Sequence, residues 1–426
     1  MSGGVYGGDE VGALVFDIGA HTCRAGFAGE DTPKADVSTM MGVNSNNNAM
    51  ETDQPPNNNK KCYIDTNSVC VARENMEISS FVKDSMIEDW DLFEKMMDHL
   101  YEKHIKSDSE LHPVLFSEVP WNPKAKREKL TEIMFEKYKV PAYFMCKNAV
   151  LSAFANGRST ALVIDSGSTQ TSCVPVHDGY VLQQAVIRTP LAGDLITVNC
   201  KSYFDELGVE IIPPYMIASK DMVKERASPV YTKKKFPPVT DSYHSLMVRR
   251  VLQDFAATVI QVSDTSLANE IQNSTSIPPV SYVFPNGYNL GLTVDRFKLT
   301  EALFDASSHN LKGIHGGDLL SIPNVVTTSA GMCDIDIRPS LYSGIIAVGG
   351  NSLLPGFTER LTKELTIKTP PSIRVKVIQN SSTVEKRFSS WIGGSILASL
   401  GTFQQIWISK LEYDEVGKTV VEKKCP

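Results

Sequence analysis

Short apolar runs bounded by turn-forming residues recur along the chain. The runs Ala13 to Phe16, Ala161 to Ile164 and Ile345 to Val348 have the length and β-branched content of buried strands. Each is followed by a glycine-containing turn. The pattern therefore predicts strands buried on both faces, as in the central sheet of an α/β protein.

A different periodicity lies between these runs. Asn122 and Pro123 have the residue types of an N-cap and a first helical turn, and they predict the start of a helix. Strands that alternate with helices indicate an α/β fold. Apolar residues at helical spacing follow this start, at Leu130, Ile133, Met134 and Tyr138.

One apolar pattern occurs twice. Leu14 to Gly19 reads LVFDIG, and Leu162 to Gly167 reads LVIDSG. Each copy predicts a buried strand, a tight turn and a return strand, over Thr22 to Phe27 in the first copy and Thr171 to Val176 in the second. The separation is too long for a solenoid repeat, so it indicates two duplicated lobes.

Three polar stretches interrupt the regular pattern. Residues 40–62 are rich in Asn and Pro, residues 226–240 contain Lys233 to Lys235 between prolines, and residues 268–280 are rich in Asn, Ser, Thr and Pro. Low hydrophobicity of this kind predicts irregular surface insertions. The three lysines are compatible with a nuclear localisation element or with a solvated loop.

Composition narrows the class of protein. A chain of 426 residues exceeds the ~250–300 residues that one core usually serves, so at least two lobes are expected. The net charge of −7 argues against sequence-specific nucleic-acid binding, and it suits a basic partner such as a histone.

The chain also lacks the patterns of secreted and membrane proteins. No secretory leader and no apolar run of about 18 residues occur, so we expect no membrane partner. The eight cysteines form no CxxC pair, which indicates reduced thiols rather than zinc ligands or disulfides. These features predict a cytoplasmic or nuclear location.

The repeated Asp-x-Gly turns suggest a chemistry. Backbone N–H groups around Gly19 and Gly167 can point into a concavity that binds phosphate oxygens. Asp17 and Asp165 at the strand ends can hold a divalent cation through water. A single such turn could be only a hairpin, but two matched copies favour a phosphate clamp.

A third element supports this clamp. The strand Ile345 to Val348 runs into Gly349, Gly350 and Asn351, where a base or ribose can approach the backbone closely. No HExxH, GxSxG or Walker-type motif is present, so other common catalytic constellations are not indicated.

Several blocks together resemble actin over nearly the whole chain. The block Asp17 to Gly29 resembles the first phosphate loop of actin, and Asp165 to Gly167 resembles the second. Leu111 to Lys129 and Gly349–Gly350 match two further actin motifs. The most specific block is Trp391 to Lys410, which is close to the C-terminal actin signature.

The resemblance implies an α/β, two-lobed actin-like fold, shared with sugar kinases and heat-shock ATPases, with a central nucleotide cleft. Residues 1–155 and 389–426 would form the small lobe, and residues 156–388 the large lobe. The N-terminal sequence MSGGVYGGDEVGALVFDIG, the segment Tyr215 to Lys220 and the context Arg387 to Trp391 resemble the class-four nuclear actin-related proteins.

The resemblance also implies a nucleotide site. It would bind ATP with Mg²⁺ or Ca²⁺, the cation being held by Asp17 and Asp165 through water. The implied nucleotide-binding residues are Asp17, Gly19, Ala20, His21, Thr22, Arg24, Asp165, Gly167, Ser168, Thr169, Gly349, Gly350, Asn351 and Arg387.

Some positions differ from actin. Ala20 and His21 replace a Ser and a Gly, Ser168 and Thr169 replace an Asp-Gly pair, and Arg387 replaces a Lys near the base. The charged pair that contacts adenine and ribose falls near Ser245 and Leu246. The Gln and His that orient the attacking water in actin correspond to Asn148 and Ser172, which predicts weak or absent hydrolysis.

The class-four resemblance implies a nuclear subunit of SWI/SNF-type remodelling (BAF) complexes and histone acetyltransferase complexes. Its implied partners are actin, a helical segment of the remodeller ATPase, other complex subunits and histones. Tyr143, Phe144, Leu354 and Phe403 to Trp407 would line an apolar groove for that helix. Two rival interpretations are an active actin-like ATPase and a cytoskeletal filament former.

Overall fold

The computed structural model describes residues 12–44, 61–272, 275, 277–307, 319–378 and 382–426. Strands and helices alternate along most of this chain, which confirms the predicted α/β class. The described strands are β1 Leu14–Ile18, β2 Thr22–Phe27, β3 Ala35–Ser38, β4 Met40–Asn44, β5 Lys61–Tyr63, β6 Met76–Ser80, β7 Val82–Lys83, β8 Met86–Ile87, β9 Val114–Glu118, β10 Ala142–Lys147, β11 Ala161–Ser166, β12 Thr171–His177, β13 Tyr180–Val181, β14 Ile187–Thr189, β15 Ile217–Lys220, β16 Tyr231–Lys233, β17 Val280–Val283, β18 Asn289–Leu292, β19 Ile345–Val348, β20 Val377–Ile378 and β21 Ile408–Ser409.

Helices pack beside these strands and connect them. A π-helical turn at Leu100–Ile105 extends the second helix. None of the described helices is both long and apolar enough to cross a membrane. They are α1 Thr66–Val69, α2 Trp90–His99, α3 Lys124–Glu136, α4 Asn148–Ala155, α5 Gly193–Glu206, α6 Asp241–Val259, α7 Leu267–Gln272, α8 Asp295–Glu301, α9 Ile322–Gly331, α10 Arg338–Tyr342, α11 Phe357–Lys368, α12 Thr383–Arg387, α13 Ser389–Ser399, α14 Lys410–Val416 and α15 Val420–Lys424.

The first large sheet has the strand order β21-β10-β9-β1-β2-β3. Strand β1 pairs antiparallel with β2 and parallel with β9. Phe16 on β1, Phe116 on β9 and Tyr143 on β10 belong to the core of this sheet, and all three are fully buried. The indole of Trp391, from α13, donates a hydrogen bond to the Val15 carbonyl at 3.0 Å. The end of the chain therefore completes a sheet that the beginning of the chain starts.

The second large sheet repeats the central arrangement of the first. Its order is β13-β12-β11-β19-β20, with β14 also paired to β12. Strand β11 pairs antiparallel with β12 and parallel with β19, as β1 does with β2 and β9. This confirms the strand, turn and return strand predicted for each copy of the repeat. The lobe boundaries stay a prediction.

Helices α4 and α13 pack closely between the two sheets. On α4, Leu151 belongs to the core of the first sheet, whereas Ala149 and Ala153 belong to a core cluster of the second sheet. Gly393 on α13 permits the close contact, because a Cβ there would lie 1.9 Å from the Leu151 carbonyl oxygen. This helix pair connects the two sheets.

A buried ionic cluster holds the end of the chain against the first sheet. Arg127 on α3 binds Glu118 at 3.1 Å and Glu422 at 2.7 Å, and it also donates to the Cys425 carbonyl. Lys147 contacts the same Glu118 at 2.6 Å. Residues of β9, α3 and β10 therefore share one largely buried network with residues 422–425.

The three segments expected to be irregular are partly regular. Strands β4 and β5 lie at the two ends of residues 40–62. They pair with each other in a three-stranded sheet of order β5-β4-β6. The interior of that segment lies outside the described residues. Strand β16 lies within residues 226–240, where it pairs with β15, and Lys233 is its last residue. Helix α7 and the first residue of β17 lie within residues 268–280.

The predicted N-cap at Asn122 is wrong. Pro123 is the N-cap of α3, and it offers no side-chain cap. The side-chain NH2 group of Asn122 donates to the Glu118 carboxylate at 2.9 Å. The expectation of reduced, mostly buried thiols is confirmed: all eight cysteines lie in the described residues, none is in a disulfide, and six are buried.

Candidate functional site

Both Asp-x-Gly turns open onto one cavity of about 450 Å³ between the two sheets. All sixteen residues predicted for nucleotide binding or water positioning lie in the walls of this cavity. They are Asp17, Gly19, Ala20, His21, Thr22, Arg24, Asn148, Asp165, Gly167, Ser168, Thr169, Ser172, Gly349, Gly350, Asn351 and Arg387.

The first turn is built by the β1–β2 hairpin. The Gly19 N–H donates to the Thr22 carbonyl at 3.0 Å and closes the turn. The Asp17 carboxylate accepts from Arg24 at 2.8 Å and from the hydroxyl of Ser117 on the neighbouring strand. These bonds fix the direction of a carboxylate that is only 6% exposed.

Arg24 and Arg387 share one carboxylate. Asp36 on β3 lies 3.6 Å from the Arg24 guanidinium and 2.6 Å from that of Arg387, on α12. The Arg387 side chain is half exposed, so its contact with Asp36 can be exchanged for a ligand at little cost. The ion pair between Asp36 and Arg387 therefore connects the first sheet to α12, the helix that follows the last strand of the second sheet.

The second turn is the counterpart of the first. The Gly167 N–H donates to the Gln170 carbonyl at 3.1 Å, and the N–H groups at the start of α5 donate to the carbonyls of Gly167 and Ser168. The Ser168 hydroxyl donates to Asp194 at 2.7 Å, and Asp194 also forms an ion pair with Arg249. The loop is therefore held by both its backbone and its side chains.

Asp165 has an unusual environment for a carboxylate. Burial, followed by the nearby charge of Asp17, raises its pKa to about 6. The side-chain NH2 group of Asn148 donates to the Asp165 carboxylate at 3.5 Å. The side-chain oxygen Oδ1 of Asn148 is buried with no hydrogen-bond partner among the described residues. Two carboxylates and an unsatisfied amide are a donor set that suits a hydrated Mg²⁺ or Ca²⁺ ion.

The glycine pair approaches the second turn very closely. Gly349 has φ +88°, and a Cβ there would lie 2.4 Å from the Ser166 carbonyl oxygen and 2.6 Å from an Asp165 carboxylate oxygen. The Asn351 amide donates to the Gly167 carbonyl at 2.8 Å. Only glycine fits at position 349. The close approach of Gly349 and the hydrogen bond from Asn351 place the Gly349–Asn351 segment directly against the second turn.

The position predicted for the adenine and ribose contacts is wrong. Leu246 is buried in a separate cluster with Tyr243 and Met247, and Ser245 is exposed away from the cavity lining. Helix α6 instead presents Gln253, Ala256 and Ala257 to the cavity. This wall offers an amide and two methyl groups, and no charge.

His21 adds a titratable group to the cavity wall. Its imidazole is exposed to the cavity, yet desolvation within the cleft and then the Arg249 guanidinium lower its pKa. The backbone carbonyl of His21 accepts from the N–H of Thr39 at 3.1 Å. The lowered pKa favours the neutral imidazole, which can donate to a phosphate without repelling a cation.

Several residues of this site were not predicted from the sequence, and four of them matter most for its geometry. Ser117, Asp194, Arg249 and Gln253 line the cavity or fix its loops, and each comes from an element remote in sequence from both turns. The Gly193–Asp194 pair at the start of α5 was the available signal, since a helix N-terminus is a suitable place for an anion. Nothing in the local sequence distinguishes the others.

Comparisons with known proteins agree with this architecture. The actin family model matches residues 8–426. The chain is 40% identical to "Actin-related protein 4" of Arabidopsis thaliana, with 99% of this chain and 100% of the relative covered. It is 38% identical to the protein of the same name from Oryza sativa subsp. indica, with 99% of this chain and 100% of the relative covered. It is 37% identical to the protein of that name from Emericella nidulans, with 99% of this chain and 98% of the relative covered.

Proposed function

The chain belongs to the actin family, with actin-related proteins 4 among its full-length relatives, and we propose that it is a non-filament, ATP-binding subunit of nuclear chromatin complexes. In this role it joins SWI/SNF-type remodelling and histone acetyltransferase complexes, where it pairs with actin on a helical segment of the remodeller ATPase. Histones and other complex subunits are further partners. The class-four resemblance supports this assignment.

One observation carries the nucleotide-binding part of the proposal. Two matched Asp-x-Gly turns, from two separate sheets, converge on one cavity, where Gly349 approaches the second of them closely. Phosphates would lie against the N–H groups of the turns, and a cation would be held through water by Asp17 and Asp165. The uncharged wall of Gln253, Ala256 and Ala257 suits a base bound mainly by packing.

The same cavity supports a structural rather than a catalytic use of ATP. Asn148 and Ser172 occupy the positions implied for water positioning. Neither side chain is a proton acceptor comparable to imidazole, and such an acceptor is typically worth about 10²–10⁴ in rate. Bound nucleotide would then hold the two sheets together with little turnover.

The apolar groove expected for the partner helix needs a correction. Tyr143, Phe144 and Trp407 are at most 5% exposed, because they pack in the core of the first sheet. Phe403 packs edge-on against Phe144 at 4.9 Å between ring centroids. Leu354 lines the nucleotide cavity. Tyr143, Phe144 and Trp407 therefore support the fold and are too buried to form a docking wall, whereas Ile406, within the expected segment Phe403 to Trp407, is 46% exposed.

Exposed apolar residues near the same segment are a better docking surface. Ile396 and Leu400 are one helical repeat apart at the end of α13, and Ile406 lies in the turn that follows. All three are at least 40% exposed. An amphipathic partner helix can use such a surface through residues at i, i+3, i+4 and i+7.

Reconstitution tests the proposal. The chain is co-expressed with actin and the helical segment of the remodeller ATPase, and complexes are sized by light scattering after gel filtration. We expect one copy of each component in a single complex, and Ile406→Glu should weaken it. Ile367→Glu is the matched control, because Ile367 is 80% exposed on α11. A complex of actin and the helix that excludes the chain would contradict the proposal.

Filament formation is tested separately. The expectation that the chain does not polymerise rests on the Asn- and Pro-rich residues 40–62 and on the polar, Gly-rich residues 304–320, where actin carries an apolar plug. Both segments lie largely outside the described residues. The prediction stays that the chain does not polymerise alone. Filaments pelleted from concentrated protein in Mg-ATP would favour a cytoskeletal role instead.

A further inference from the structure

Three metal-binding side chains converge away from the nucleotide cavity. Asp65 lies between β5 and α1, His99 is the last residue of α2, and His104 lies in the π-helical turn that follows. One ligand atom from each side chain lies within 4.8 Å of the others. None of these three residues belongs to the lining of the nucleotide cavity.

The backbone brings the two histidines together. Residues five positions apart diverge on an α-helix, because 3.6 residues complete a turn. The π-helical turn Leu100–Ile105 changes that spacing, and the imidazole centroids of His99 and His104 are 5.5 Å apart. Single π-helical turns of this kind occur frequently at functional sites.

The third group is held in an unusual conformation. Asp65 has φ 70° and ψ 149°, a region that side-chain-bearing residues rarely adopt. In this conformation one carboxylate oxygen lies 2.7 Å from His99 Nε2, and the other lies 3.5 Å from His104 Nε2. The carboxylate therefore faces both imidazoles at once.

The arrangement leaves one nitrogen without a hydrogen bond. His104 Nε2 is buried and has no hydrogen-bond partner among the described residues, since 3.5 Å is long for such a bond. Buried polar atoms in native proteins nearly always have a partner, and those that lack one often mark a missing ion or water. A cation between the three side chains would satisfy this nitrogen and the Asp65 carboxylate together.

We propose that Asp65, His99 and His104 form a binding site for a divalent transition-metal ion, with Zn²⁺ as the first choice. Two imidazole nitrogens and a carboxylate oxygen match the ligand preferences of Zn²⁺, and a water can complete a tetrahedron. Mg²⁺ and Ca²⁺ prefer an all-oxygen shell, so they fit this site poorly.

The ion would connect two parts of the molecule. Helix α2 packs in the core of the first sheet through Phe93 and Met97. Helix α1, which Asp65 begins, buries Val69 against Tyr243 of α6 in a separate cluster. Zinc would therefore link the first-sheet core to the contact between α1 and α6, and it would stabilise the native state by mass action.

Titration of the full chain tests the site. Protein stripped with chelator and then held in excess Mg-ATP is titrated with Zn²⁺ by calorimetry, so that Mg²⁺ occupies the cleft. We expect one zinc site in the wild type and a melting temperature that rises with Zn²⁺. Asp65→Asn and His104→Ala should each weaken zinc binding by at least about tenfold.

A matched variant separates this site from ordinary surface histidines. His177 lies 3.6 Å from Asp178 with no third ligand assigned beside it, so His177→Ala should leave zinc binding unchanged. Bound Co²⁺ should give the visible absorption of tetrahedral coordination, and His104→Ala should abolish it. The proposal is overturned if the wild type takes up no zinc, or if folded Asp65→Asn and His104→Ala bind it as tightly as the wild type.

Discussion

Gly393 and Leu151 approach each other so closely that a Cβ on the glycine would lie 1.9 Å from the leucine carbonyl oxygen. The contact joins α13 to α4, the two helices between the sheets. Because that atom is backbone, it cannot move aside as a side chain could.

Gly393→Ala should therefore destabilise the protein. Overpacking at a rigid contact costs about 1–3 kcal/mol, and here the helices must separate. Urea denaturation with and without ATP measures the loss. Gly331→Ala is the control, because Gly331 ends α9 and a Cβ there meets nothing within 4 Å. Equal stabilities for the two variants would show that α4 and α13 can shift freely.

Asp165→Asn should remove most of the nucleotide-dependent stability. The substitution keeps the shape of the side chain but removes one of the two charges that would hold the cation. A ligand at 100 times its Kd stabilises the native state by about 2.7 kcal/mol, so the ATP-induced rise in melting temperature should largely disappear. Asp178→Asn, in an exposed turn, should keep that rise. Full stabilisation of Asp165→Asn by Mg-ATP would contradict the assigned cation site.

The same substitution should change how stability depends on pH when nucleotide is absent. The folded chain raises the pKa of Asp165 from the usual 3.8 to about 6, so folding favours the neutral carboxyl. That contribution is present below pH 4 and is lost as the pH rises through 6. Asp165→Asn should therefore be more stable than the wild type by about 1–3 kcal/mol at pH 7.5, and equal to it near pH 4. Parallel stability curves over this range would refute the shift.

ATP hydrolysis by the wild type should be slow, and substitutions at the two water-positioning residues should accelerate it. The double substitution Asn148→Gln/Ser172→His supplies a longer amide and an imidazole at the cavity wall. Phosphate release in a single turnover should then rise by as much as about 10²–10⁴. The same pair of changes combined with Asp165→Asn should show no rise. Wild-type turnover equal to that of conventional actin would favour the ATPase interpretation.

The local parts of the site could be predicted because each is encoded by a short segment. Asp17 and Asp165 end apolar strands and precede glycine turns, so strand, turn and direction follow from adjacent residues. The long-range parts could not. Ser117 reaches Asp17 through a parallel pairing 100 residues away, and Asp194 reaches Ser168 only because α5 packs beside the second turn.

The errors have different physical origins. Asn122 has the residue type of an N-cap, but α3 begins one residue later, with Pro123 as its N-cap. Tyr143 and Phe144 have the residue types of a docking wall, but the first sheet buries them. In the second case the tertiary packing of the sheet decides the outcome, and the local sequence carries no sign of it.

The Trp391 indole bonds to the Val15 carbonyl across 376 positions of sequence, and this has a consequence for biogenesis. During synthesis, strands β1, β2, β9 and β10 leave the ribosome long before α13 and β21 exist. The apolar faces of these strands stay exposed until residues 389–426 have been synthesised. Pairings of such high contact order form late, and exposed strand faces aggregate in the meantime. A nascent chain that stops before residues 389–426 is therefore expected to leave these apolar faces exposed and to aggregate.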